Sequence, residues 1–185
     1  KEYEDTGTIN LKNFWIRRIK RLLPAVFALI VVVGIATLLF HPEHIVRVKH
    51  DMIAAIFYVS NWWYIAKDVN YFEQFSFMPL KHLWSLAIEE QFYLFFPAVL
   101  LLFMAIVKKK KNVILMFWII SLVSLLMMVV ISQPHLNHSR VYFGTDTRLQ
   151  TLLLGVLLAF IWPPFKLNPN PPKGLKTVIN SAGII

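Results

Sequence analysis

The stretch at residues 82–97 reads HLWSLAIEEQFYLFFP and places two adjacent carboxylates, Glu89 and Glu90, inside a run that is otherwise apolar enough to enter a bilayer. Each ionisable group at membrane depth costs roughly 2.5 kcal/mol or more on insertion scales, so such groups usually face a polar interior and take part in transport or chemistry. The pair therefore predicts a membrane helix that carries a functional site.

The whole chain has the composition of a polytopic membrane protein. Of its 185 residues, 57% are hydrophobic and 15% aromatic, and the mean hydropathy is +0.59. The net charge of +9 comes from Lys and Arg clustered at segment ends, where they set topology or meet anionic lipid, and it does not indicate a nucleic-acid partner. Cysteine is absent, which excludes disulfides and thiolate metal sites.

Apolar runs predict an all-α, polytopic integral membrane helical bundle with about four to five spans. Residues 22–40 form 19 uncharged positions, about 28 Å of helix, with Pro24 in the predicted first turn. Residues 83–107 and 113–131 predict two more spans, and residues 149–162 a short or tilted helix. The run at 52–66 is short for a span and is typical of a re-entrant or interfacial segment.

The distribution of positive charge favours one topology. If residues 52–66 do not cross, 13 Lys and Arg lie on one side and six on the other, whereas a crossing gives ten against nine. The positive-inside rule therefore predicts that 52–66 does not cross. It places residues 1–21, 108–111 and 163–176 in the cytoplasm and the loops 41–82 and 132–148 outside.

The acidic helix predicts a polar stripe. Ser85, Glu89 and Tyr93 are spaced four residues apart and share one face, while Glu90 points about 100° away. Glu89 lies roughly 9 Å from the outer end of the helix, submerged but reachable. A carboxylate there suits a general base or a proton carrier, but a packing network that ties an Arg or His from another helix explains it equally well.

A basic cluster precedes the first span. Arg18 and Arg21 are three residues apart on one helical face, just below the predicted membrane surface. Guanidinium groups at that spacing can clamp phosphate, although a juxtamembrane cationic collar is the ordinary explanation.

Three other polar positions lie at the ends of helices. His82 could transfer protons near neutral pH or simply cap its helix at the interface. Asp146 and Arg148 are two apart at the start of the last apolar run, and an ion pair between them is the default expectation. Asp146 or Thr147 could also cap that helix.

Five motifs in order resemble the membrane acyltransferase 3 family, and within it the peptidoglycan O-acetyltransferases of Gram-positive bacteria. They are FWIRRIKRLLPA at 14–25, SNWWY at 60–64, YF at 71–72, HLWSLAIEEQFYLFFP at 82–97 and YFGTDTRLQTLLLG at 142–155. The resemblance covers about residues 10–165. The ordered series is far more specific than any one motif.

The resemblance implies transfer of an acetyl group from cytoplasmic acetyl-CoA to a hydroxyl of a cell-surface carbohydrate such as peptidoglycan, in the bacterial cytoplasmic membrane. Catalysis would use positioning and proton transfer without a metal. The residues that match the family motifs are Arg18 and Arg21 on the acyl-CoA side, Glu89, Glu90 and Tyr93 in the glutamate motif, and Asp146 and Arg148 with no assigned role.

The family histidine is the main departure. In the family it lies in an earlier helix, ahead of Lys1, where it would act as base or acyl carrier, and none of the six histidines here matches its motif. Residues 1–185 are therefore expected to form a partial transmembrane domain that lacks its first and later helices and is inactive alone. Expected partners are membrane lipid, a glycan acceptor and, as in some relatives, an extracytoplasmic esterase-like domain.

Two other functions remain open from the residues alone. A proton-coupled transporter of a small solute or lipid-linked sugar would use Glu89 or Glu90 as its coupling carboxylate. A noncatalytic membrane scaffold would use the same glutamates only for helix packing.

Overall fold

The computed structural model describes residues 10–70, 76–107, 109–132 and 139–162, and within these ranges every regular element is a helix. This confirms the all-α prediction. The linker predicted at 165–176 lies outside the described residues. The elements in chain order are α1 (Leu11–Phe40), a 3₁₀ turn (Pro42–His44), α2 (Ile45–Ile56), α3 (Ser60–Ala66), α4 (Leu83–Ile106), α5 (Lys110–Ile131), α6 (Ser139–Phe143) and α7 (Thr145–Ile161).

Four helical stretches in the described part are long and apolar enough to cross a membrane: Leu11–Phe40, Leu83–Ile106, Lys110–Ile131 and Ser139–Ile161. This count agrees with the lower end of the predicted range. The last stretch is longer than the sequence indicated, because α7 begins at Thr145 and α6 precedes it directly. Polar residues join this helix because their side chains bond to neighbouring helices instead of water.

Helix α1 also begins earlier than predicted. Asn10 caps it, its side chain accepting a hydrogen bond from the backbone N–H of Asn13 at 3.0 Å. The basic residues therefore belong to the helix, and Pro24 lies in its interior instead of in its first turn. The buried residues of α1, Val26, Ile30 and Thr37, fall on one face.

The run at 52–66 is not a continuous helix. It is divided between α2 and α3 by a turn at Phe57–Val59, where Tyr58 adopts a left-handed backbone conformation with φ of 53°. The short helix α2 packs back along α1, since Met52 lies beside Gly34 and Ala55 beside Val26. The break explains why this segment does not qualify as a span.

Two of the three apolar clusters in the described part pack the long helices together, and the third lies around Tyr64, Val69 and Phe143. Val26, Ile30, Ala55, Leu80 and Leu83 form the first, where α1, α2 and the start of α4 meet. The second joins α4, α5 and α7, and its buried members are Phe92, Val113, Phe117, Leu153 and Leu157. Phe117 packs at its centre, with ring centroids 5.3 to 6.2 Å from those of three other phenylalanines, Phe96, Phe103 and Phe160.

The junction between α6 and α7 has no room for a side chain at Gly144. A Cβ there would lie 2.7 Å from both the Arg140 carbonyl oxygen and the Thr147 hydroxyl, whereas a Cβ at Gly155 meets nothing within 4 Å. We expect Gly144→Ala to destabilise the protein by about 1 to 3 kcal/mol through this clash. The matched change Gly155→Ala should leave stability unchanged or raise it by up to about 1 kcal/mol. Thermal unfolding of the detergent-purified full-length protein measures both, and equal melting temperatures would contradict the packing described.

Candidate functional site

A cationic and an acidic side chain meet between α1 and α4. Nη1 of Arg18 lies 3.4 Å from Oε1 of Glu90, and both side chains are largely buried, at 27% and 16% exposure. The guanidinium carbon of Arg18 also lies 3.2 Å from the centroid of the Tyr93 ring, well within the range of a cation–π interaction. We call Arg18, Glu90 and Tyr93 the Arg18 cluster.

The Arg18 cluster brings together residues that the sequence had placed at different depths. Arg18 was expected below the inner surface and the glutamates near the outer end of their helix. The two helices are antiparallel, since Leu83 packs near Val26 and Ile30 while the Trp15 indole N–H donates to the Tyr93 carbonyl at 3.3 Å. With 30 residues, or about 45 Å, α1 extends well past the start of α4, and this offset sets Arg18 level with Glu90.

The two glutamates occupy different environments. Glu90 is the one that pairs with Arg18, as the packing-network explanation expected. Glu89 is exposed and forms no hydrogen bond within the described residues, and Ser85 is exposed too, its hydroxyl donating to the His82 carbonyl at 3.2 Å. Of the predicted stripe of Ser85, Glu89 and Tyr93, the first two members face outward from the described helices, and only Tyr93 joins the Arg18 cluster.

The residue after Glu90 is the centre of a hydrogen-bond network that the sequence analysis missed. Gln91 donates through Nε2 to the Tyr58 carbonyl at 2.8 Å and to Oδ1 of Asn61 at 3.0 Å. Its Oε1 accepts from the Thr145 hydroxyl at 2.6 Å and from the Trp62 indole at 3.4 Å. One amide thus joins α4 to both α3 and α7.

Asn61 completes this network from the most buried position. It is 0% exposed and donates through Nδ2 to the Phe143 carbonyl at 3.0 Å and to the Thr145 hydroxyl at 2.9 Å. We call Gln91, Asn61 and Thr145 the Gln91 network. A signal for it was present, since Asn61 and Gln91 are amides inside apolar runs, where a buried polar group needs a partner.

A second arginine–carboxylate pair lies beside the Gln91 network. Arg140 contacts Asp146 with two parallel hydrogen bonds of 2.7 and 2.6 Å, and its guanidinium carbon lies 5.2 Å from the Trp62 ring centroid. The predicted pair between Asp146 and Arg148 is wrong. The short helix α6 places Arg140 opposite Asp146, while Arg148 donates to the Tyr142 carbonyl at 3.2 Å.

The start of α7 also differs from the prediction. Gly144 occupies the cap position, so neither Asp146 nor Thr147 caps the helix. Thr147 is buried inside the first turn, where its hydroxyl donates to the carbonyls of Val141 and Gly144 at 2.9 and 3.0 Å. The carboxylate of Asp146 still lies in the first turn, where the helix dipole favours a negative charge.

Two other predicted site residues lie outside these contacts. His82 directly precedes α4 but makes no side-chain cap, contributing only its carbonyl to Ser85. Arg21 is exposed one turn after Arg18 on α1. Among the described residues, no group of three His, Asp or Glu side chains is placed to hold a metal ion.

Comparison with known proteins gives a consistent result. The model of a family described as an acyltransferase domain matches residues 4–176. A protein of Staphylococcus aureus strain COL, provisionally named as an O-acetyltransferase, is 68% identical over 183 residues, and the O-acetyltransferase OatA of strain NCTC 8325 is 57% identical over 183 residues. Each alignment covers 99% of this chain, which spans only 30% of the length of either relative. No solved structure matches the chain.

The Gln91 network should dominate the stability of the α3–α4–α7 junction. We expect Gln91→Leu to destabilise the full-length protein by about 2 kcal/mol or more, because it leaves Asn61 and Thr145 buried with unmade hydrogen bonds. The change Glu89→Leu, two positions earlier and exposed, removes a charge without breaking a hydrogen bond and is the control. Thermal unfolding in detergent compares the two, and a Gln91→Leu melting temperature equal to that of the control would show that the network contributes little.

Proposed function

The chain belongs to the acyltransferase 3 family, and from that premise we propose that it forms part of a membrane-bound O-acyltransferase of the bacterial cytoplasmic membrane. In this proposal the enzyme moves an acetyl group from acetyl-CoA to a hydroxyl of a cell-surface carbohydrate such as peptidoglycan. The names of the relatives, which specify O-acetyl transfer, support the acetyl group and the oxygen acceptor. The donor and the glycan follow from the motif resemblance.

The contact between Arg18 and Glu90 is the observation that carries the proposal. It places the arginine of the donor-side motif against the carboxylate of the glutamate motif, two groups from different helices and 72 residues apart in sequence. An acyl transfer requires a donor anchor and a proton acceptor close together. The Arg18 cluster provides both in one largely buried place.

The arginines suit the phosphates of coenzyme A. A guanidinium has five N–H donors, and Arg18 uses one of them on Glu90, so others remain for a phosphate oxygen. Stacking on Tyr93 holds the guanidinium plane in position and reduces the entropy lost when an anion binds. Arg21, exposed one helical turn away, supplies a second cation for the same phosphate group.

Glu90 is the proposed proton acceptor of the described part. The acceptor hydroxyl oxygen would attack the thioester carbonyl carbon, the carbon–sulfur bond would break, and the hydroxyl proton would pass through Glu90 to the departing thiolate. The role falls on Glu90 rather than Glu89 because only Glu90 lies in the Arg18 cluster. No described histidine hydrogen-bonds to the Arg18 cluster, so an imidazole base would come from another part of the full-length protein.

Substitution in the full-length enzyme tests the Arg18 cluster. We expect Glu90→Gln to lower kcat/KM for acetyl transfer by about 100-fold or more, since positioned proton transfer contributes roughly that factor. We expect Arg18→Ala to lower it by about tenfold or more, because it removes a charged hydrogen bond to the donor phosphate. The matched controls Arg17→Ala and Glu89→Gln alter exposed neighbours and should stay within about threefold of wild type. The measurement is coupled thioester consumption and ester formation in proteoliposomes. Wild-type rates for Arg18→Ala and Glu90→Gln would remove the site, and solute counterflow without thioester consumption would indicate a transporter.

Replacing Arg21 should affect only the binding of the acyl donor, acetyl-CoA. We expect Arg21→Ala to raise KM for acetyl-CoA roughly tenfold with little change in kcat, because a charge-assisted bond to phosphate is made equally in the ground state and the transition state. Varying acetyl-CoA at a fixed acceptor concentration separates the two constants. A loss confined to kcat would place Arg21 in the chemical step instead.

A further inference from the structure

A polar pocket lies on the segment between α1 and α4, away from the Arg18 cluster. Its volume is about 510 Å³, and it opens between the 3₁₀ turn, α2 and α3. The polar and aromatic residues that line it are Glu43, Arg47, His50, Asp51, Trp63 and Lys67. None of these residues belongs to the Arg18 cluster, the Gln91 network or the Arg140–Asp146 pair.

Two exposed cations and one exposed carboxylate, Glu43, line this pocket, so its exposed surface carries an excess of positive charge. Arg47 and Lys67 both line it, and the ammonium of Lys67 is held over the Trp63 ring, 4.8 Å from its centroid. Oε1 of Glu43 lies 3.5 Å from Nδ1 of His41 and 3.6 Å from Nε2 of His44. A hydrogen bond from its own backbone N–H holds the pKa of the Glu43 carboxyl below its usual range.

The second carboxyl group of the pocket, that of Asp51, is withdrawn from the surface. It is 3% exposed, and burial raises its pKa although its Oδ1 accepts a 2.8 Å bond from the Trp63 indole. Burial also raises the pKa of Tyr64, so its hydroxyl keeps its proton. Within the described residues, Oδ2 of Asp51 and the Tyr64 hydroxyl are buried without a hydrogen-bond partner. Both residues line the pocket, so these two atoms are available to hydrogen-bond a ligand there.

An apolar groove shares a wall with this pocket. Its volume is about 340 Å³, and its lining includes Ile53, Phe57 and Trp62. His50 and Trp63 line both spaces, with their rings stacked 5.7 Å apart at an interplanar angle of 14°. A cationic pocket and an apolar groove therefore lie on either side of one aromatic wall.

We propose that this pair of sites binds one anionic phospholipid, with its phosphate beside Arg47 and Lys67 and an acyl chain across the aromatic wall in the groove. Charge complementarity selects the headgroup, and the adjoining apolar lining suits the chain. The position of the pocket and groove supports lipid binding. They lie on the segment that joins the spanning helices α1 and α4, at the level where lipid headgroups and acyl chains meet. A free phosphate ester would use the pocket and leave the groove empty.

Native mass spectrometry of the detergent-purified full-length protein tests this, with phosphatidylglycerol as the probe. The double variant Arg47→Ala/Lys67→Ala should weaken phosphatidylglycerol binding by about tenfold or more, because each cation near a phosphate contributes on the order of 1 kcal/mol. Lys49→Ala is the matched control, an exposed cation of α2 outside the pocket lining, and should bind as wild type. Ile53→Ser should also weaken binding, since it makes the groove polar.

Two comparison ligands test whether the site recognises both the headgroup charge and the acyl chain. Phosphatidylcholine, with the same chains and a zwitterionic headgroup, should bind at least several-fold more weakly, and glycerol 1-phosphate should neither bind tightly nor compete. Equal losses in Lys49→Ala and the double variant would show nonspecific surface charge and overturn the proposal. Equal binding of phosphatidylcholine, or competition by glycerol 1-phosphate with no effect of Ile53→Ser, would overturn it as well. The exposed positions of Arg47 and Lys67 make misfolding a poor explanation for any loss, and gel filtration checks this.

Discussion

A polar group buried among apolar helices costs several kcal/mol unless it finds a partner, and this constraint determines how the helices of this protein meet. Apolar surfaces alone could slide past one another at little cost. The amide of Gln91 prevents this, because its four hydrogen bonds join α4 to α3, to the turn before α3 and to α7. Two contacts with Tyr93 fix α1 against the same helix: the Arg18 guanidinium lies over its ring, and the Trp15 indole donates to its carbonyl. Apolar clusters supply the bulk of the packing, but these polar contacts set its register.

The same constraint explains which features of the fold followed from sequence. Length and hydropathy suffice to find helices such as Leu83–Ile106 and Lys110–Ile131, and the length of the run at 52–66 suffices to doubt that it crosses. The offset between antiparallel helices is not encoded in any one segment. This offset depends on contacts between residues that are distant in sequence, such as Arg18 and Glu90. The sequence analysis estimated the membrane depth of each helix separately, and for that reason it placed these two residues at different depths.

The errors at the start of α7 have a related cause. Sequence reasoning paired Asp146 with its nearest cation, Arg148, because the path of the chain before the helix was unknown. The turn at Gly144 instead brings α6 alongside, so Arg140 becomes the partner and α7 begins before the apolar run does. Gln91 was missed for the opposite reason: an uncharged amide beside two carboxylates drew less attention than they did, although it makes more contacts than either.

The two arginine–carboxylate pairs differ in a way that bears on function. Arg140 and Asp146 share two parallel bonds of 2.6 and 2.7 Å, a geometry that holds both groups firmly and suits a structural clamp. Arg18 meets Glu90 through one contact of 3.4 Å, and its best-placed partner is the Tyr93 ring. A long single contact constrains Arg18 less than the two parallel bonds constrain Arg140. Of the two pairs, only the Arg18 cluster combines a cation held over an aromatic ring with a loosely paired carboxylate, and for this reason the proposed acyl transfer is assigned to it.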